Sequence, residues 1–201
     1  MLTSFFLIAR ISLAWGLAVF FVMIALAQFV FRTNTIGGGL ELLPLMVALF
    51  AVMTVFSHIS RVRLIATEVN AQTLSNRQRR TIEIPFDANA AFALLEAAVR
   101  ELPGVLQVDS AADSLQLRAK IKRVHPYRNQ AMSASRLLPW LENAHNQILI
   151  TVSPGTASCT ATAICEPDRA AWVDTFLVDN GTNLEIAEAL VRAISQRIVR
   201  S

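Results

Sequence analysis

The residues able to carry proton transfer, nucleophilic attack or metal binding are few: three histidines, two cysteines and a loose run of carboxylates. General acid–base work needs a histidine or carboxylate set against a partner that tunes it. His58 lies between Ser57 and Ser60 at the end of an apolar run, which predicts a headgroup-level position rather than a reactive one. His125 and His145 bound an irregular stretch and have no motif around them. Ser133 and Ser135 lack the G-x-S-x-G turn that exposes a nucleophilic serine. Cys159 and Cys165 form no C-x-x-C pair and have no clustered histidine, so a structural zinc site is not expected and reduced thiols are. Glu166, Asp168, Asp174 and Asp179 are too scattered for a metal loop. There is no phosphate-binding loop and no dinucleotide-binding glycine pattern. No catalytic, cofactor-binding or metal-ligating residue is therefore assigned, and a non-catalytic protein is expected.

Recognition chemistry is better represented. In LQLRAKIKRV, every second residue places Leu115, Leu117, Ala119 and Ile121 on one side and Gln116, Arg118, Lys120 and Lys122 on the other. Three cations in a row could meet an anion, a lipid headgroup or a protein partner. They could equally be a solvated strand face guarded against aggregation. Residues 125–145 form the longest irregular stretch and bring Leu138 and Trp140 into an apolar cluster suited to a partner or to the domain's own core. Cys159, Ala161, Ala163 and Cys165 share a strand face whose small side chains either leave a ligand cavity or let helices pack closely.

The elements that must position these residues fall into two parts. The chain is 54% hydrophobic and 16% charged, and the first sixty residues hold only Arg10, Arg32 and Glu41 as charges. Ile11 to Phe31 is an uncharged run of 21 residues, close to the roughly 20 that a helix needs to cross a bilayer. Leu42 to Ser60 is a second run, with Pro44 in its first turn, where a missing N–H costs little. These predict a transmembrane hairpin over 1–60, with helices near 11–31 and 42–60. Arg61, Arg63, Arg77, Arg79 and Arg80 follow it and predict a basic juxtamembrane helical stalk over 61–80. Positive charge on that side predicts an inner-membrane protein with both termini cytoplasmic. The excess of positive charge is confined to this stretch, and residues 81–201 carry 11 basic against 13 acidic side chains. Nucleic acid is not an expected partner.

From residue 81 the pattern changes. Ile82, Ile84 and Phe86 alternate with polar residues as in a strand, and Asp87 can cap a helix that Pro103-Gly104 ends. Strands are predicted at 105–109, 115–124, 146–153, 157–166 and 172–178. Thr182 and Glu185 have the spacing of a capping box and open a C-terminal helix carrying Leu184, Ala187, Leu190 and Ile194 inward. Tight turns between successive strands predict an α+β domain over 81–201: an antiparallel sheet with two helices on one face. The layout is similar to that of helix-grip folds, a likeness of topology alone.

Two functional expectations follow. The leading one is a membrane-anchored accessory subunit whose cytoplasmic domain meets a protein partner through Arg118, Lys120, Lys122, Leu138 and Trp140, with the arginines of 61–80 beside the bilayer. The alternative is a domain that holds a small apolar ligand or lipid in a cavity between sheet and helices.

Overall fold

The computed structural model describes residues 43–122, 145–156, 158–168, 179 and 181–200, together with residues 9, 10, 13, 16, 17, 20 and 21. The chain forms two compact units, Met1–Leu74 with Trp172–Gly181, and Ser75–Ala171 with Thr182–Ser201.

In the first unit, helix α1 spans Leu43–Ile65. Val47, Ala51, Val55, His58 and Val62 recur at helical spacing and are buried, whereas Leu49, Val52, Met53 and Phe56 are exposed. The helix stops soon after Ile65. The Asn70 side chain accepts hydrogen bonds from the Gln72 and Thr73 amides, and such local bonds compete with helical ones.

The membrane expectation is corrected here. Among the described residues no helix is long and apolar enough to cross a membrane. The second expected span overlaps α1, which carries Arg61 and Arg63 near its end and holds His58 fully buried within its own unit rather than at a headgroup level. Most of the first expected span lies outside the described residues. The integral-membrane reading, the inner-membrane localisation and the cytoplasmic placement of both termini are withdrawn with it.

The second unit is an α+β domain. Strands β1 (Gln78–Ile84), β2 (Val105–Ala111), β3 (Gln116–Lys122), β4 (His145–Pro154) and β5 (Cys159–Pro167) form one five-stranded sheet in the order β1-β5-β4-β3-β2. Every neighbouring pair is antiparallel. The register sets Leu117 beside Ile150, Ala119 beside Ile148, Ile148 beside Cys165 and Ile150 beside Ala163. Ile82 and Ile84 stand beside Ala161 and Cys159. Side chains alternate across a strand, so this one face is mostly apolar, with Gln78 and Asn146 as buried polar members of it.

Helix α2 (Ala88–Arg100) and helix α3 (Thr182–Arg200) cover that face. Asp87 caps α2 as expected, accepting from the amides of Asn89 and Ala90 at 3.0 Å each. Gly104 takes φ of 84° just beyond it, a conformation that favours glycine. Phe92, Leu95 and Val99 of α2 and Ala187, Leu190 and Ile194 of α3 join the strand residues in a single core.

Some boundaries moved. β1 starts at Gln78 because it pairs with β5 along its whole length, Gln78 opposite Cys165. Two arginines at this end are paired: Arg77, just before the strand, binds Glu166 at 2.9 Å and Arg80, within it, binds Glu188 at 2.8 Å. β3 starts at Gln116, because Leu115 has φ of 53° and closes a 3-10 turn over Ala112–Ser114. The strand expected at 172–178 lies outside the described residues.

Candidate functional site

Helix α3 buries Leu184, Ala187, Leu190 and Ile194, but a second stripe of the same helix stands beside open space. Thr182, Glu185, Ile186, Ala189 and Arg192 form one wall of a crevice of about 310 Å³. Leu102 and Pro103, at the turn after α2, and Ile121 and Lys122, at the end of β3, form the other wall. The Lys122 amide donates to the Gly104 carbonyl at 2.9 Å, which ties the β3 end to the α2–β2 turn and holds this wall together. Leu102 and Ile121 are buried at its base, and the volume is in the range of small-molecule sites. The lining is mostly apolar, with Glu185 and the two cations Lys122 and Arg192 around it.

The other face of the sheet holds the predicted basic stripe. Arg118 Nη2 donates to Gln147 Oε1 at 2.9 Å, and Gln147 Nε2 donates in turn to Glu166 Oε1 at 2.8 Å. The Asp168 carboxylate lies 3.8 Å from both Arg118 and Lys120. Two of the three cations are therefore partly neutralised by the domain itself, through a carboxylate that sequence separation hid. Lys122 closes the stripe at the end of β3, where it borders the crevice. Leu138 and Trp140, the other candidate partner contacts, lie outside the described residues, as do His125, Ser133 and Ser135.

Cys159, Ala161, Ala163 and Cys165 are fully buried in the core with Ala187, Leu190 and Ile194. Their small side chains serve close packing of α3 on β5. Burial pushes the Cys165 thiol up to about 12, with Arg80 opposing and Glu166 adding to the effect. A thiol so placed is not a nucleophile.

His58 belongs to the first unit. Its Nε2 donates to the Leu74 carbonyl at 3.2 Å, and its Nδ1 lies 4.0 Å from Asp179 Oδ1. Asp179 Oδ1 also accepts from the Gly181 amide at 3.0 Å. Burial holds His58 below its ordinary value, and Asp179 opposes that shift. The ring thus joins α1 to the Leu74 backbone, a structural use of its polar atoms. Among the described residues no group of three or more histidine, cysteine or acidic side chains could hold a metal ion.

The crevice was not foreseen. Ile186, Ala189 and Arg192 extend a stripe beside the core-facing one on α3, and that second apolar stripe was the available signal.

No family model matches the chain, and no curated protein matches it. Solved structures do. A START superfamily protein from Mycobacterium smegmatis is 14% identical, with 62% of this chain and 97% of that one covered and a TM-score of 0.33. A protein from Thermobifida fusca, solved by NMR, is 13% identical over 62% of this chain and 94% of that one, with a TM-score of 0.36. Norcoclaurine synthase from Thalictrum flavum, in complex with dopamine and hydroxybenzaldehyde, is 12% identical over 68% of this chain and 95% of that one, at a TM-score of 0.32. Likenesses of this size carry no argument about what this chain binds.

Proposed function

We propose that the second unit is a small-ligand-binding domain, and that it holds a mostly apolar molecule in the crevice between helix α3, the α2–β2 turn and the end of β3. The observation that carries this reading is the crevice itself. It joins a volume of about 310 Å³ to a base of Leu102 and Ile121 and a wall of Ile186 and Ala189. Pockets of this kind bind by burying apolar surface, while a few polar groups at the rim set orientation. The sequence raised a ligand cavity as the alternative, but at the small-residue face of β5, which is packed in the core, and the crevice lies elsewhere. The accessory-subunit reading has less support, since Asp168 occupies part of the basic stripe.

The test is a screen of small apolar compounds against the full-length chain, read by isothermal titration calorimetry, with an Ala189→Trp variant as the control. Ala189 is half-buried between the crevice and the core, so an indole there fills the space, and far-ultraviolet circular dichroism checks that the variant still folds. Binding by the wild type that the variant loses supports the reading. Equal binding by the two chains moves the ligand elsewhere and overturns it.

A further inference from the structure

We propose that His58 and Asp179 form an acid-released clasp, which holds the chain at Asp179 and Gly181 against helix α1 near neutral pH and frees it as pH falls. All of these residues belong to the first unit. His58 is fully buried on α1. Its Nε2 lies 3.2 Å from the Leu74 carbonyl, which can only accept. Nε2 therefore carries the hydrogen, and the neutral ring presents a lone pair at Nδ1. Among the described residues Nδ1 has no hydrogen-bond partner, and it faces Asp179 Oδ1 at 4.0 Å, beyond hydrogen-bond reach. Both side chains are 1% exposed.

Close packing seats the same stretch. Asp179 Oδ1 accepts from the Gly181 amide at 3.0 Å. Gly181, at φ of 75°, lies so near α1 that a Cβ on it would meet Val62 and Ile65 at 3.5 Å each and the Arg61 stem at 3.7 Å. The next residue, Thr182, opens helix α3, so the clasp holds the link by which the chain passes into that helix. A second proton on His58 makes a buried cation that Asp179 cannot hydrogen-bond at the observed distance. Such a cation is costly unless it is paired and hydrogen-bonded, and turning the ring out to water relieves the cost. The charged groups that act on the ring are Asp179, from the link, and Arg10, from the N-terminal stretch, while Leu74 brings only its carbonyl. Burial holds the ring below its ordinary 6.5; Asp179 and the Leu74 bond oppose this, and Arg10 adds to it. With the folded value lowered, the contribution of the neutral ring is complete above 6.5 and is lost as pH falls from there. The ratio of closed to open clasp can fall by up to about ten-fold per pH unit.

The test is hydrogen exchange of the full-length chain followed by NMR between about pH 7 and pH 5, with rates corrected for the intrinsic pH dependence of exchange. Protection of the Gly181 amide should fall by about ten-fold across that window. The Lys122 amide, which donates to the Gly104 carbonyl in the second unit, should keep its protection. His58→Gln retains an Nε2 donor for the Leu74 carbonyl and cannot titrate, so its Gly181 protection should be flat. Where that variant does not fold, Asp179→Asn serves instead. It keeps an oxygen for the Gly181 amide and removes the charge that favours the protonated ring, so the fall should be larger than in the wild type. Gly181 protection that ignores pH in the wild type overturns the clasp. So does an equal fall in His58→Gln, or a fall in Asp179→Asn no larger than the wild type's.

Discussion

At the scale of single residues, environment decides which of the reactive-looking groups are reactive. Cys165 shows this most directly. Its thiol is 1% exposed, and burial raises its pKa from 9.0 to about 12. A raised value means that the folded state favours the protonated thiol. The associated stability is complete below 9.0 and is lost as pH rises from there toward 12. The expected loss is up to about 1.4 kcal/mol per pH unit. Urea denaturation of the wild type and Cys165→Ala at rising pH measures it: the wild type should lose its advantage over the variant across that window. A constant difference between the two would show that the thiol titrates normally. His58 makes the same point without reaction chemistry, since its ring is spent on the Leu74 carbonyl.

At the scale of elements, caps and turns set the geometry of the sheet and its helices. Asp87 accepts two amide bonds at the start of α2, and Asp87→Ala should cost about 1 kcal/mol. Thermal unfolding is the measurement, and an unchanged midpoint would mean that solvent caps the helix equally well. Gly155 lies in the turn between β4 and β5. A Cβ there would overlap the Ser158 carbonyl oxygen, which is backbone and cannot simply swing aside. Gly155→Ala should therefore cost about 1–3 kcal/mol. Its effect should appear as faster amide exchange along the β4–β5 pairing from Pro154–Cys159 inward.

At the scale of the molecule, the order of the chain constrains how the second unit is completed. Helix α3 follows residues 172–181, which belong to the first unit, and returns to close the core of the second. Leu184, Ala187, Leu190 and Ile194 are all buried there. At about 1.5–3 kcal/mol for each large side chain, the loss of these contacts rivals the 5–15 kcal/mol stability of a typical domain. A chain ended at Gly181 should thus lose the slow hydrogen exchange of its sheet amides, a readout confined to the second unit. Protected sheet amides in that truncated chain would mean that the sheet and α2 suffice. The same helix forms a wall of the crevice, so the proposed ligand binding would be linked to completion of the fold. A ligand present at about 100 times its Kd should add about 2.7 kcal/mol to stability.

What the sequence determined by itself was local. Alternation of apolar residues marked four of the strands and their buried faces, because a strand's side chains repeat every second residue whatever lies beside it. Asp87 and the apolar period of 182–200 announced the two helices for the same reason: caps and periodicity are satisfied within a few residues. The expected sheet with helices on one face followed from those elements. The 42–60 run was misread because hydrophobicity reports only that a segment avoids water. Whether it does so in lipid or against other parts of the chain is decided by contacts at long sequence separation, such as that of His58 with Asp179. The pairing of Arg118 and Lys120 with Asp168, and of Arg80 with Glu188, depended on the strand order β1-β5-β4-β3-β2, which no local pattern encodes. The crevice was decided in the same way, since it exists only where α3, the α2–β2 turn and the end of β3 stop short of filling the space between them.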